Sequence, residues 1–332
     1  MKPIGNFQPE NPFFLAPMEA VNCTSFRILC KRRGASVVYT DMIDADVFVA
    51  YAKEHTIAQA VTKYLNPHDE DTPLVIQLGG PNIENLKFVI EHTHQYATWF
   101  DYNVGCPLGS MLGKKGGCYL MKHPDQLYKK MIPLVAQCQK FNLPFTVKLR
   151  SGWDEKSINA VELAIELEKL GVAAIGFHPR TRKQRAQGKA DWQLARKLKE
   201  AISIPMILSG DVFTAYDAHL AFMHTKSDYI MCARGAKNNP SIFAQLVGYW
   251  RTKTPPLRPM AQYVKTSASV RDDFLEFADL YESIEQRNNI GELIDHASWY
   301  IRGCRNNTEL TPLLRAAKTL DEIKILVEKV RF

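Results

Sequence analysis

A (β/α)₈ barrel followed by a small all-helical domain is the fold class this sequence predicts. Three observations predict it: eight short β-rich apolar runs precede residue 236, amphipathic helical stretches separate them, and no G-x-G-x-x-G follows the first run. An open doubly wound sheet is the alternative arrangement of the same units, but the count and span suit a closed barrel better.

The predicted strands are FFLAPM (13–18), VVYTDM (37–42), LVIQLG (74–79), WFDYNV (99–104), FTVKLR (145–150), AAIGFH (173–178), PMILSG (205–210) and YIMCAR (229–234). Between them lie patterns such as SINAVELAIELEKLG, whose apolar residues recur every three or four positions and which stops at a C-cap glycine, Gly171. ADWQLARKLKEAIS carries Ala, Leu and Ile on one face. The Pro-rich TKTPPLRPM reads as a linker, and SVRDDFLEFADLYESI and LRAAKTLDEIKILVEKV read as a helical bundle. The expected organisation is a barrel over residues 1–250, a linker at 251–260 and a helical domain over 261–332.

Composition narrows the function classes. With 46% hydrophobic and 23% charged residues among 332, the chain has the makings of a buried core, not of a disordered protein. No run approaches the roughly 18 apolar residues that span a bilayer, and the opening MKPIGNFQPENPFF has no basic segment leading into a long apolar one, so a cytoplasmic protein is expected. The seven cysteines are scattered, with no C-x-x-C pair suited to zinc; reduced thiols and no metal are expected. The net charge of +7 permits an anionic partner without demanding one. Basic residues gather at 31–33, at Arg180, Arg182, Lys183, Arg185 and Lys189, and at 196–199, whereas the chain beyond 250 is close to neutral.

Active sites of such barrels form at the C-terminal ends of the strands. Polar residues recur there: Pro17, Met18 and Glu19; Asp41; Gln77; Asn103 and Cys106; Lys148 and Arg150; His178 and Arg180; Ser209, Gly210 and Asp211; Arg234 and Gly235. Any strand end meets water, so each alone is unremarked; their shared rim is the signal. SGD and ARGA end strands seven and eight, where glycines admit backbone N–H groups to a phosphate and an arginine forks onto its oxygens. Lys148 is either a solvated lysine or a cation facing the mouth. NVGCPLGSMLGKKGGCYLM makes a glycine-rich loop after strand four, with Cys106 a candidate proton donor or nucleophile and Cys118 its competitor.

LAPMEAVNCTSFR, YNVGCP, VKLRSGWD, FHPRTRKQRAQGKADW, ILSGDV and CARGAKNNPSIF, in that order, together resemble the tRNA-dihydrouridine synthases, and HASWYIRGCR extends the likeness into the tail. The resemblance implies an oxidoreductase that uses FMN, reduced by NADPH, to saturate the C5=C6 bond of selected tRNA uridines. Carried over, Cys106 is the acid that protonates C5. FMN is held by Pro17, Met18, Gln77, Lys148 and His178, and its phosphate by Ser209, Gly210, Asp211, Ala233, Arg234 and Gly235. Asn103, Arg180 and Arg182 fall on the substrate side, and the helical tail binds tRNA. The chain departs from the family's pattern at Ser110, where a lysine is usual, at Glu19, Ala20, Asn22 and Cys23 in the first motif, at Pro179 after His178, and at Ser209. An FMN barrel acting on a free pyrimidine or enone, and a flavin-free RNA-binding or phosphate-sugar barrel, are the competing readings.

Overall fold

The computed structural model describes residues 1–252, 265–285, 287 and 289–332. Eight parallel strands form the barrel: β1 (Phe13–Leu15), β2 (Val38–Tyr39), β3 (Leu74–Gly79), β4 (Trp99–Asn103), β5 (Phe145–Arg150), β6 (Ala174–His178), β7 (Met206–Ser209) and β8 (Tyr229–Cys232). Each pairs with its sequence neighbour from β2 round to β8, and β8 pairs with β1 in the register Phe13↔Ile230. The last seam is narrow: Phe14 bridges Val37, Leu15 N–H donates to Val37 O at 2.9 Å, and Ser36 N–H donates to Phe13 O at 2.9 Å. A two-residue strand, Ile43–Asp44, pairs beside β3 outside this ring.

Side-chain alternation along the strands builds the interior. Phe14, Val75, Trp99, Ala174, Ile207, Tyr229 and Met231 share one inner core, with Trp99 in ring contact with Phe7, Phe14 and Tyr39. Their neighbours Phe13, Leu15, Ile76, Phe100, Val147, Ile175, Leu208 and Ile230 belong to the outer core beneath the helices. Both faces are therefore buried, which is why these strands read as nearly unbroken apolar runs. Two or four residues further up the inward rows lie Gln77, Asp101, Asn103, Lys148, Arg150, His178 and Ser209. The period of two delivers polar groups to the mouth from strands whose lower halves are apolar apart from Thr146 in β5.

Five observed strands stop one to three residues short of the predicted runs, whereas β3, β5 and β6 end where predicted, at Gly79, Arg150 and His178. The 157–171 pattern forms a helix over Ala160–Lys169, closed by Gly171 at φ +88°. The tail comprises the helices Ser267–Ile284, Ile290–Tyr300, Asn307–Ala316 and Leu320–Glu328. The run 314–330 is thus two helices, divided where Thr319 takes an extended conformation and caps the second by accepting from Glu322 N–H. Helix Ile242–Thr252 continues two residues past 250, and the rest of the expected linker, 253–260, lies outside the described residues.

Barrel and tail share the outer core. The helix Thr24–Arg32 is the point of attachment. Ser25 donates to Glu285 Oε1 through its N–H (2.8 Å) and hydroxyl (2.9 Å), Arg33 pairs with Asp273 at 2.7 Å, and Phe26 meets His296 with ring centroids 5.3 Å apart.

Candidate active site

A cavity of about 370 Å³ opens at the C-terminal end of the barrel. Pro17, Gln77, Asn103, Cys106, Lys148, His178, Ser209, Gly210, Asp211, Ala233, Arg234 and Gly235 all line it, so residues more than 200 positions apart in sequence meet at one mouth. Met18, Arg180 and Arg182, expected at the same place, do not line it. Met18 packs against the outer core, and Arg182 lies over the Trp153 ring at 4.4 Å.

Arg180 is 1% exposed and faces inward behind the cavity wall. Its guanidinium reaches both Asp211 oxygens at 2.6 Å, Gly188 O at 2.7 Å, Gln187 O at 3.1 Å and His178 Nε2 at 3.1 Å. A guanidinium only donates, so His178 Nε2 accepts and a neutral ring carries its proton on Nδ1. Burial, with Lys148, Arg150, Arg180 and Arg234 around it, holds the imidazole well below its usual pKa and therefore neutral. Gly210 makes this packing possible. It sits at φ +116°, and a Cβ there would stand 3.0 Å from His178 Cδ2.

Cys106 is held from two sides. Its N–H and that of Gly105 donate to Asn103 Oδ1 at 2.7 and 2.9 Å, and its carbonyl accepts from Cys118 N–H at 3.1 Å. Arg150 Nε clamps Gly105 O at 2.8 Å. Behind Asn103 runs a chain of side-chain hydrogen bonds: Asn103 Nδ2 donates to Gln77 Oε1 (2.8 Å), Gln77 Nε2 to Asp101 Oδ2 (2.7 Å), and Thr146 Oγ1 to Asp101 Oδ1 (2.6 Å). Sequence reading passed over Asp101, although a carboxylate inside the apolar run WFDYN is a signal in itself, since a buried acid needs partners. Its own burial raises its pKa to about 6. Glu19, Met42, Arg150, Ala186 and Phe213 also line the cavity. Glu19 and Arg150 fall on the polar rim legible in the sequence, whereas Met42, Ala186 and Phe213 carry no chemical mark there.

The electrostatics divide the cavity's labour. Burial, reinforced by Glu19, raises the Cys106 thiol pKa against the opposing pull of Arg150 and Lys148, so the sulfur keeps its proton at neutral pH. Burial and the neighbouring Arg150 lower Lys148 to about 8. At the β7 and β8 ends, Arg234 is 46% exposed and touches Asp211 at 3.3 Å, leaving donors for an anion. The arrangement can bind an anionic ligand along β7 and β8 and present a protonated thiol in the same space.

The dihydrouridine synthase family profile matches residues 14–331. A probable tRNA-dihydrouridine synthase of Rickettsia conorii is 32% identical over 316 residues, covering 92% of this chain and 89% of that protein. The tRNA-dihydrouridine synthase B of Pasteurella multocida is 28% identical over 315 residues, covering 95% and 90%. Among solved structures, 2-naphthoyl-CoA reductase bound to 2-naphthoyl-CoA matches with a TM-score of 0.53 at 12% identity over 76% of this chain and 51% of that one. A variant of NCR from Zymomonas mobilis matches at 0.50 and 16% identity over 81% and 98%. These two likenesses speak for the barrel fold alone.

Proposed function

The chain belongs to the dihydrouridine synthase family, and from that membership and the chemistry of the barrel mouth we propose that it reduces the C5=C6 bond of particular tRNA uridines to 5,6-dihydrouridine, with FMN as cofactor and NADPH as reductant. One observation carries the reading: a single cavity contains both a thiol held in its protonated form and a cation-rich floor with a neutral imidazole beside it.

The residues suit FMN. The cavity volume lies within the usual range of roughly 300–1,000 Å³ for ligand sites. Pro17, Gln77, Lys148 and His178 would hold the ring system, with the Lys148 ammonium against its electron-rich pyrimidine edge, while Met18, packed on the outer core, would support that wall from behind. Backbone and side chains of Ser209, Gly210, Asp211, Ala233, Arg234 and Gly235 would take the phosphate, which the β7 and β8 loops of such barrels favour. When bound and reduced by NADPH, the flavin supplies hydride to C6 of the uracil.

Cys106 then gives its Sγ proton to C5, and the burial that keeps the thiol protonated also keeps water from competing. Asn103 fixes where that thiol stands. Arg180 serves through His178 and Asp211, and Arg182, stacked on Trp153, would meet the substrate outside the cavity. Reaching a base within folded tRNA costs a few kcal/mol of unstacking, which phosphate contacts elsewhere must offset. The exposed Lys183, Arg185 and Lys189 beside the mouth and Arg302 and Arg305 on the tail suit those contacts. On this reading residues 1–250 are the catalytic unit, 261–332 the tRNA-binding unit, and the enzyme works in the cytoplasm.

Mass mapping of tRNA from cells with and without the gene tests the assignment. The two-hydrogen gain at one or a few uridines should vanish without it, and identical maps would exclude the reading.

A further inference from the structure

Where the barrel helix Thr24–Arg32 meets the tail, one buried histidine has no polar partner. His296 is 0% exposed, and neither Nδ1 nor Nε2 makes a hydrogen bond. A buried polar group left bare in this way destabilises the fold unless something binds it. The imidazole is also firmly placed, stacked on Phe277 with centroids 4.1 Å apart and flanked by Phe26 and Trp299.

Two further ligand-type atoms converge on it. Glu292 stands four residues earlier on the helix Ile290–Tyr300, hence on the same face, and Cys23 comes from the N-cap of the barrel helix. One ligand atom from each of Cys23, Glu292 and His296 lies within 4.8 Å of the others. Cysteine is a poor capping residue, so the helix itself gives little reason for a thiol at Cys23. Burial and the carboxylates Glu285 and Glu292 push its thiol well up, against the opposing pull of the Phe26 N–H and Arg27. Burial holds His296 neutral, the form in which imidazole ligates.

We propose that Cys23, Glu292 and His296 bind a zinc-class divalent ion that ties the barrel to the tail, in place of the metal-free chain its cysteine spacing suggested. Bonds of about 2.0–2.3 Å to a tetrahedral ion place ligand atoms about 3.5 Å apart, a small inward movement from the observed separation. Cys23 and Glu292 border a groove of about 1140 Å³ that shares Glu19 and Met42 with the active cavity, so water from that groove fills the fourth position. On binding, the Cys23 S–H bond breaks, its proton passes to solvent and the thiolate sulfur bonds the ion. Glu292 keeps Tyr281 (2.7 Å) and Arg287 (3.0 Å) as outer partners that orient its carboxylate.

The test uses the full, untagged chain, stripped with chelator and titrated with Zn²⁺ and, separately, with Co²⁺. One equivalent of zinc should bind and raise the melting temperature, and Co²⁺ should show a thiolate-to-metal charge-transfer band. Cys23→Ala, checked for folding by circular dichroism, should lose that band and weaken zinc binding at least roughly 100-fold. His296→Ala should behave alike, and Cys23→Ala stands alone if that variant does not fold. No stoichiometric zinc, a cobalt spectrum without thiolate character, or binding unchanged in Cys23→Ala would each overturn the proposal. None of these readouts depends on uridine reduction.

Discussion

Asn103 holds Cys106: its side-chain oxygen accepts the cysteine N–H at 2.7 Å while its amide nitrogen is anchored on Gln77 at 2.8 Å. The position of the thiol is thereby referred back through Asp101 and Thr146 to the rigid strands of the barrel. A glycine-rich loop carries the reactive group, and a strand decides where it stands.

Asn103→Ala frees two loop N–H groups and removes this reference. A misplacement of about 1 Å costs as much as 10²-fold in rate. Turnover should fall 10- to 10²-fold with little change in KM for tRNA or in flavin content, measured by steady-state kinetics on tRNA. Full activity would mean that the thiol is positioned by its own loop.

Arg180→Ala strips the buried partner from Asp211 and the donor from His178 Nε2. Removing one member of a buried pair costs about 3–5 kcal/mol, and the partly exposed Asp211 puts this case at the low end. Urea denaturation should show a loss of about 3 kcal/mol, and FMN affinity should drop with it. Intact stability with altered tRNA binding alone would return Arg180 to the substrate side.

These two residues mark what the sequence could and could not say. The inward row of Gln77, Asn103, Lys148 and His178 was legible, because a strand's period of two and the position of each run's end are local facts. Arg180 looked like a rim residue since it follows a strand end. Its true partner, Asp211, is 31 residues away, and only folding brings them together. The same holds for Ser25 and Glu285, separated by 260 residues, whose bonds weld a tail that reads as a separate unit onto the barrel. Deleting that tail would bare Phe26 and its neighbours, so its role is better tested by surface changes.

Lys148, lowered to about 8, is charged below that pH and neutral above it. If its charge serves the bound flavin, kcat/KM should decline as pH rises through about 8. Stability of the flavin-free chain should move oppositely. The unfolded lysine, near its ordinary value of 10.5, binds more protons between these two values, so this group's contribution rises with pH across that window. Parallel pH profiles of turnover and melting temperature separate the effects, and an activity profile flat through pH 8 in all but stability would remove Lys148 from the cofactor site.

Exchanging Lys183, Arg185 and Lys189 for glutamine, or Arg302 and Arg305 for alanine, should weaken tRNA binding and flatten its salt dependence by about one unit of slope per lost phosphate contact. Flavin affinity should not change. Filter binding at several salt concentrations gives the slopes; slopes equal to that of the unaltered chain would place the tRNA elsewhere.

The most direct test compares the unaltered protein with Cys106→Ala, both loaded with FMN, mixed with unmodified tRNA and NADPH and read by nucleoside mass spectrometry. Proton donation typically contributes roughly 10²- to 10⁴-fold. The account predicts dihydrouridine from the unaltered chain and a loss of that order in the variant, with flavin and tRNA still bound. Equal dihydrouridine from both proteins, or none from the flavin-loaded unaltered chain, would contradict it.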